Sequence, residues 1–229
     1  FYGGEQARAK VEDPALGFYQ ALLEARVPFD MVHDQLLDVS RISRYRTLIL
    51  PNIAALSTAQ CKQIEDFVRA GGSLVATHET SLYDEWGVQR ADFGLASLFG
   101  ASYAGKVDAR LQNSYLNVDR NPTDGKFHPL VHGLEDATRI INGTKWVHVK
   151  PAAKGHSPLT LVPSYPDLPM EQVWARIPRT DIPGVFTQQV GKGRVVYFPF
   201  DIDRTFWEVL SPDHGTVIRN AVAWAHNEE

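Results

Sequence analysis

One strand–helix–strand segment in the first half of the chain constrains the fold more than any other feature. Residues 45–51 (YRTLILP) are apolar without alternation, which is typical of strands buried on both faces of a parallel sheet. Ser57 and Gln60 form a capping-box pattern that starts a helix, and the pair Gly71-Gly72 ends it. Residues 73–77 (SLVAT) are a second buried strand. This order predicts a βαβ unit with parallel strands and a right-handed crossover.

The residues before this unit indicate a helix and another strand. Residues 14–26 place apolar side chains at helical spacing, namely Leu16, Tyr19, Leu22 and Leu23. Asp13 is the expected N-cap, with Pro14 at the first helical position. Residues 27–32 (VPFDMV) are predicted to form a short strand. We expect residues 1–13 to follow a first strand that lies upstream of Phe1.

The second half of the chain has a different character. Between about residues 104 and 190 it is rich in Pro, Gly and β-forming residues, and antiparallel strands are predicted at 114–118, 144–150, 159–162, 172–177 and 184–189. A tight turn at Gly191-Lys192-Gly193 leads into a strand at 194–200, and a final helix covers about 216–226. The simplest interpretation is one α/β domain, 1–229, with its core at about 14–103 and 191–229 and a β-rich excursion at about 104–190.

Composition excludes several classes of protein. The net charge is −4 and Lys and Arg are scattered, so no nucleic-acid-binding face is expected. No apolar run approaches the roughly 20 residues that a membrane-spanning helix needs, so no membrane partner is expected. The single cysteine, Cys61, excludes an internal disulfide and a metal site built from several cysteines. No cofactor is predicted.

Polar residues follow three strands of the predicted sheet: Asn52, then His78, Glu79 and Thr80, then Asp201 and Asp203. Ligands bind at the carboxyl ends of strands in open parallel sheets, so these side chains are candidates for one rim. On a continuing strand Asp201 and Asp203 would face the same way, and with His78 they could act as acid and base or converge on a metal ion. The alternative is structural, because these residue types also cap helices and form turns.

Several runs together resemble the class I glutamine-amidotransferase-like superfamily. They are residues 48–52 (LILPN), Leu56-Ser57 and residues 67–77 (FVRAGGSLVAT). The likeness is greatest to the trimerisation domain that follows the barrel in beta-galactosidases of glycoside hydrolase family 42. Those domains similarly have a Glu-Thr pair just after the strand, which here is Glu79-Thr80, and then a Tyr-Asp-Glu segment, which here is Tyr83-Asp84-Glu85. Residues 93–100 resemble the short helix that follows. The closing residues 191–197 also resemble the last strand of the trehalose-utilisation (ThuA-like) group.

This resemblance implies a flavodoxin-like, class I amidotransferase-like fold, in which helices flank a parallel sheet and a β-rich excursion precedes the last strand and helix. It implies that the chain is a piece of a longer bacterial polypeptide, with a sugar-processing catalytic domain upstream. It also implies self-association, most simply as a trimer. Carbohydrate is a further candidate partner.

One departure from the superfamily bears on catalysis. Active amidotransferases carry a cysteine on the sharp turn after the second strand, where this chain has His78 and Glu79. Neither side chain can replace a thiolate that must form a thioester and then leave. Cys61 is expected to be core packing, because it lies in the inward stripe of its helix. No catalytic residue is therefore expected; if the domain is active, the candidates are His78, Glu79, Asp201 and Asp203, and a ThuA-like sugar-binding or metal-assisted role at His78 is the alternative.

A loop after the turn is the candidate contact surface. Tyr83, Trp86 and Phe93 lie close together in the sequence, and a cluster of exposed aromatic side chains would mark an interface. The alternative is that all three turn inward and cap the sheet. Asp84 and Glu85 beside Trp86 also match the pairing of acidic and aromatic groups in sugar sites, although a turn with an interface tryptophan accounts for them equally well.

Overall fold

A computed structural model of the chain describes residues 5–226. Its α-helices are α1 (Glu5–Ala7), α2 (Asp13–Glu24), α3 (Val39–Ile42), α4 (Thr58–Arg69), α5 (Ala96–Phe99), α6 (Ile202–Val209) and α7 (Pro212–His226). A π-helical turn, Arg8–Glu12, joins α1 to α2, and short 3-10 turns lie at Asp34–Leu36 and Pro129–Val131. The strands are β1 (Thr47–Leu50), β2 (Ser73–Thr77), β3 (Ala101–Asp108), β4 (Tyr115–Val118), β5 (Arg139–Ile141), β6 (Trp146–Pro151), β7 (Leu159–Val162), β8 (Phe186–Val190) and β9 (Gly193–Phe198). Within the described range, no helix combines the length and apolarity needed to cross a bilayer.

The central sheet has the strand order β1-β2-β9-β8. Strands β1, β2 and β9 are parallel, with Thr47 opposite Ser73 and Leu74 opposite Val195. Strand β8 closes one side as an antiparallel hairpin with β9. The predicted βαβ unit is therefore confirmed, and the protein has a mixed α/β fold whose central sheet is mostly parallel.

Helix α4 forms as its sequence predicts. The Ser57 hydroxyl accepts a hydrogen bond from the Gln60 N–H at 3.1 Å, and the Gln60 side chain accepts one from the Ser57 N–H at 2.8 Å. This capping box satisfies two backbone donors that the first turn would otherwise leave unpaired. The predicted inward stripe is fully buried and comprises Cys61, Ile64, Phe67 and Val68.

The core has two parts, one on each face of the central sheet. Alternate residues of a strand point to opposite faces, so Val75 and Val196 contribute to one apolar cluster while Leu74 and Val195 contribute to the other. The first face is covered by α2 and α7, through residues that include Phe18, Leu22, Val217 and Val222. The second face is covered by α3 and α4, through residues that include Ile42, Ile64 and Phe67.

The middle of the chain forms two small sheets, β3-β6 and β5-β4-β7, and all their pairings are antiparallel, as predicted. Trp146, at the start of β6, is bridged to Phe200 after β9, and the two rings stack with their centroids 5.9 Å apart. This stacking attaches the middle segment to the central sheet. The sequence pattern did not predict β3 or β5. Strand β8 corresponds to the strand predicted at 184–189 in the β-rich excursion, but it belongs to the central sheet.

Two predicted strands are wrong. Residues 27–32 have no regular secondary structure, and no strand in the described range pairs with them. Residues 172–177 also form no strand, and Trp174 and Ile177 there are 58% and 54% exposed. A strand needs both a ladder partner and a face to bury, and β-forming composition supplies neither.

The ends and faces of two helices also differ from prediction. Asp13 is not an N-cap, because helical turns from Glu5 onward run into α2 without a break. The buried side of α2 is formed by Gly17, Phe18, Ala21 and Leu22, whereas Tyr19 and Leu23 are exposed. Helix α2 packs on α6, with Gly17 against the backbone of Asp203, and the sequence pattern did not predict this contact. The final helix starts at Pro212, one turn earlier than expected.

Candidate functional site at the strand ends

The polar residues that follow β1, β2 and β9 lie together in the structure. The Asn52 N–H donates to the Thr77 hydroxyl at 2.8 Å, and that hydroxyl donates to the Asp203 carboxylate at 2.7 Å. The Asn52 side-chain oxygen accepts from the Glu79 N–H at 3.1 Å. Direct hydrogen bonds therefore join the three strand ends.

His78 occupies the sharp turn after β2. Its φ of 50° lies in the left-handed region, which side chains other than glycine adopt at a cost. The backbone is held on both sides, since the His78 N–H donates to the Phe198 carbonyl and the Tyr197 hydroxyl donates to the His78 carbonyl, each at 2.7 Å. Burial lowers the pKa of the imidazole, against the opposing effect of Glu79, and Nε2 is buried without a hydrogen-bond partner. Burial therefore favours the neutral form of the His78 imidazole, and its backbone is fixed on both sides.

Glu79 is turned towards the helical residues that precede α2. Its carboxylate lies 3.6 Å from Lys10 Nζ and 3.7 Å from His78 Nδ1, and it accepts a 3.2 Å hydrogen bond from the Tyr83 hydroxyl. Burial and the nearby carboxylate raise the pKa of Tyr83 to about 12. The Asn52 amide donates to the Lys10 carbonyl at 2.8 Å. Residues before α2 therefore cover the strand ends.

Asp201 and Asp203 do not lie on a continuing strand. Strand β9 ends before Asp201, and α6 begins directly after it. Asp201 accepts from the Lys145 N–H at 2.8 Å and from the Thr144 hydroxyl at 2.9 Å, whereas Asp203 contacts Thr77. The expectation that the two carboxylates face the same way is wrong, because two helical steps rotate a side chain by about 200°.

The two carboxylates differ in electrostatic environment. Arg204 Nη1 lies 3.1 Å from Asp201 and also donates to the Thr144 hydroxyl at 2.7 Å. Burial raises the pKa of Asp203 to about 7, against the hydrogen bonds from Thr77 and the Arg204 N–H. Thr77, Thr144 and Arg204 are members of the cluster that sequence reasoning missed. Nothing local marks them, because their partners are distant along the chain.

The cluster is shielded from solvent. His78 is 2% exposed, Glu79 is 4% exposed, and Thr80 and Asp203 are not exposed at all. The Thr80 hydroxyl donates to the Thr77 carbonyl at 2.7 Å. Among residues 5–226, no group of three or more His, Cys, Asp or Glu side chains is arranged to hold a metal ion. In this conformation the cluster ties the strand ends to the neighbouring helices, and no substrate could contact His78 without displacing the covering residues.

Cys61 lies in the apolar cluster of α4. It is 5% exposed, and burial raises the pKa of its thiol to about 11. Its sulfur is so close to Gly94 that a Cβ at that position would lie 2.5 Å from it. A protonated, enclosed thiol is a poor nucleophile, and the prediction of core packing is confirmed.

The aromatic residues of the loop separate into inward and outward positions. Phe93 is 4% exposed and makes edge contacts with Phe99 and Tyr197, with centroids 5.5 Å apart in both cases. Tyr83 is partly buried against Glu79, whereas Trp86 is 84% exposed. The expected three-residue surface is therefore reduced to Trp86 and its immediate neighbours.

These features define a class of protein: a mixed α/β domain whose strand-end turn carries a buried histidine, His78, and whose single cysteine is enclosed in the core. Sequence comparison specifies the family. Residues 4–130, more than half of the chain, match the beta-galactosidase trimerisation domain, and the chain belongs to that family. No curated protein sequence matches it.

Solved structures share the fold. A beta-galactosidase from Rahnella sp. R3 is similar with a TM-score of 0.68 and 17% identity, over 98% of this chain and 28% of that one. A beta-galactosidase from Bacillus circulans sp. alkalophilus is similar with a TM-score of 0.63 and 16% identity, over 94% and 26%. A cytoplasmic protein of Salmonella typhimurium is similar with a TM-score of 0.63 and 11% identity, over 92% and 86%. The chain therefore spans little more than a quarter of each beta-galactosidase.

Proposed function

We propose that the chain is a non-catalytic module of a larger bacterial glycoside hydrolase. In this proposal it is a single domain that joins subunits of the enzyme and supports a catalytic domain upstream in the same polypeptide. Membership of the trimerisation-domain family supports this role. The similar beta-galactosidases also support it, because this chain covers only 28% and 26% of their length. The shielded strand ends and the buried thiol support the absence of catalysis in the module itself.

The exposed Trp86 is the observation that carries the proposal of self-association. It is held in an ordered turn, because the Asp84 carboxylate accepts hydrogen bonds from the N–H groups of Trp86 at 3.0 Å and Val88 at 2.8 Å. Val88 is also 62% exposed. A large aromatic side chain on a fixed turn loses little entropy when it is covered, and tryptophan is among the commonest hot-spot residues of interfaces.

The geometry of the loop supports its rigidity. Tyr83 forms one β-bridge with Ala55, which attaches the loop to the segment after β1, and another with Gln89, which closes the turn on itself. In a ring of three, Trp86 would contact a different patch on the next copy, because a closed trimer needs heterologous contacts. A single change at Trp86 would then weaken all three contacts equally.

The test is the mass of the intact protein by light scattering over a range of concentrations. Trp86→Ala should raise the protein concentration at which half of the chains are trimeric by at least about tenfold, since an interface hot spot contributes about 2 kcal/mol or more. Trp174→Ala is the matched control: its ring is also exposed, at 58%, but lies under the Arg176 guanidinium at 4.0 Å. A monomeric wild type at all concentrations would refute the proposal, as would equal effects of both variants.

A second candidate function is a ThuA-like sugar-binding or metal-assisted hydrolase or isomerase site around His78. The observation in its favour is the buried Nε2 of His78, which has no hydrogen-bond partner, on a residue with a φ of 50°. Calorimetric titration of the protein with Zn²⁺, Mn²⁺ and simple sugars tests it. Heat of binding that is lost in His78→Ala would favour this function, and no heat with any of these ligands would count against it.

A further inference from the structure

A pocket of about 520 Å³ lies between the N-terminal helical residues and α6. Among the described residues, its lining consists of Arg8 and Ala9 of the π-helical turn, Asp13 at the start of α2, and Trp207 and Glu208 of α6. None of the strand-end residues that the structure describes lines it. Small-molecule sites in proteins have volumes of about 300 to 1,000 Å³, so the pocket has the size of such a site.

The packing of α2 on α6 places Asp13 and Trp207 at the same end of the helix contact. Gly17 lies against the Asp203 backbone, where an added Cβ would be 2.0 Å from the carbonyl oxygen. Residues four apart share a helix face, so Asp13 lies one turn before this contact on α2 and Trp207 lies one turn after it on α6. Because both line one pocket, the two helices run in opposite directions here.

The π-helical turn supplies a further side of the pocket. The Asp13 N–H donates to the Arg8 carbonyl, five residues back. In an α-helix, residues five apart would lie about 140° apart around the axis, whereas the wider turn brings Arg8 and Asp13 to the same side. Arg8 Nε accordingly lies 3.5 Å from Asp13 Oδ1. Single π-helical turns are rare in proteins and are frequent at functional sites.

Asp13 is the most deeply buried of the lining residues and has an unsatisfied oxygen atom. The residue is 5% exposed, and its Oδ1 atom has no hydrogen-bond partner among residues 5–226. The Arg8 guanidinium contributes charge at 3.5 Å but no hydrogen bond. A buried carboxylate oxygen without a donor is unfavourable, and a ligand hydroxyl in the pocket would satisfy it.

The other side chains add an aromatic surface and balanced charge. Trp207 is partly exposed, and a tryptophan ring offers an apolar face for C–H groups. Glu208 accepts a hydrogen bond from Arg204 Nη2, and Asp13 lies beside Arg8, so two guanidinium groups neutralise the two carboxylates. An anion would meet the carboxylates and a cation would meet the guanidinium groups. The pocket therefore favours a ligand without net charge.

We propose that this pocket binds a neutral mono- or disaccharide. A pyranose ring presents C–H groups on one face, which pack against Trp207, and hydroxyl groups around its edge. These hydroxyl groups donate to Asp13 Oδ1 and accept from Arg8. The proposal needs neither a trimer nor an upstream catalytic domain, so it is independent of the proposed function. It also differs from the second candidate function, which has its ligand at His78.

NMR titration of the 229-residue chain with galactose, glucose and lactose tests the proposal. The chain has five tryptophans, each with one indole N–H signal, and the Trp207 signal is identified by its absence in Trp207→Phe. This signal should shift saturably with at least one of the sugars, while that of Trp174, which is exposed under Arg176, should not move. The sugars are added to about 100 mM, where a site with a dissociation constant of about 10 mM is about 90% filled.

Variants of the pocket separate binding from folding. Asp13→Asn keeps the shape of the side chain but not its charge, and should raise the dissociation constant about tenfold, because hydrogen bonds to charged groups are the stronger ones. Trp207→Ala should abolish binding, whereas Trp207→Phe retains an aromatic face and should bind more weakly than the wild type. Binding to both is followed through the Glu208 amide signal. Trp174→Ala is the matched control and should bind like the wild type, and unchanged signals of the remaining tryptophans show that each variant is folded.

Three outcomes would overturn the proposal. They are the absence of any shift at Trp207 with all three sugars, equal affinity of the wild type and Trp207→Ala, and shifts at Trp207 that sodium phosphate or guanidinium ions produce as strongly as the sugars do. Sugar-dependent shifts confined to the amides around His78 would support the second candidate function instead. A monomeric protein that binds sugar at Trp207 would contradict the proposed function alone, and a trimer that binds no sugar would contradict this proposal alone.

Discussion

The Thr77 hydroxyl donates a 2.7 Å hydrogen bond to the buried carboxylate of Asp203, and so joins residues that are 126 positions apart in the chain. The same hydroxyl accepts from the Asn52 N–H at 2.8 Å. One side chain thus connects the ends of β1 and β2 to the first turn of α6. The strand ends are where a doubly wound protein usually binds its ligand, and here this network occupies them.

Asp203 should make stability depend on pH. Its pKa is raised from 3.8 to about 7 in the folded protein, because burial penalises the charged carboxylate. A raised folded-state pKa gives stability that is complete below about pH 4 and is lost as the pH rises through 7. The free energy of unfolding should therefore fall across this window by up to about 4 kcal/mol, at about 1.4 kcal/mol per pKa unit.

Urea unfolding at several pH values between 4 and 8 measures this dependence. Asp203→Asn has no carboxyl group to titrate and should lose most of the fall, while retaining a hydrogen-bonding group beside Thr77. Asp167→Asn, a change at an exposed carboxylate, is the control and should follow the wild type. If the free energy of unfolding depends on pH in the same way for the wild type and Asp203→Asn, this carboxyl group does not titrate between pH 4 and 8.

Gly17 should not tolerate a side chain. A Cβ at this position would lie 2.0 Å from the Asp203 carbonyl oxygen, where α2 packs against α6. Gly17→Ala should lower the free energy of unfolding by about 2 kcal/mol or more, although alanine favours helix by about 1 kcal/mol. Gly155→Ala meets nothing within 4 Å and should change stability by less than about 1 kcal/mol. Chemical unfolding measures the free energy of unfolding of both variants. If Gly17→Ala were as stable as the wild type, α2 would be free to move away from α6.

Cys61 should be unreactive in the native protein and take no part in catalysis. Its thiol is 5% exposed with a pKa of about 11, so little thiolate is present near neutral pH. Labelling with a thiol-specific disulfide reagent at pH 8 should be slow until urea unfolds the chain, whereas Ser164→Cys, at an exposed position, should add a site that reacts at once.

Incubation with glutamine should release no ammonia. Ammonia release that disappears in Cys61→Ser would defeat this prediction.

Asp84 should control self-association through the shape of the Trp86 turn. Asp84→Ala removes the two side-chain hydrogen bonds to Trp86 and Val88, so only the backbone hydrogen bonds of Asp84 with Gly87 and Val88 still hold the turn and the tryptophan is less well ordered before binding. Association should weaken by about three- to tenfold, less than in Trp86→Ala, because ordering one turn costs about 1 kcal/mol. Light scattering of the intact protein measures it, with Glu85→Ala as the control in the same loop. An effect of Glu85→Ala as large as that of Asp84→Ala would point to loss of charge rather than loss of the turn.

Sequence by itself determined the features that depend on neighbours in the chain. Helix α4 begins and ends as predicted because the Ser57–Gln60 capping box and the Gly71-Gly72 pair act within a few residues. The parallel pairing of β1 with β2 follows from the crossover length, and the burial of Cys61 follows from helical periodicity. The His78 turn after β2 also follows from the end of a predicted strand.

Only the tertiary structure decided which of several locally equivalent residues turn inward. Phe93 and Trp86 are both aromatic residues in one loop, but only Phe93 finds a site against Phe99 and Tyr197. Asp201 and Asp203 could not be assigned separate partners until α6 replaced the expected strand. Residues 27–32 have the composition of a strand, but strand formation depends on a ladder partner, which composition does not supply. Composition and periodicity report local preference, whereas burial and pairing depend on what lies opposite in space.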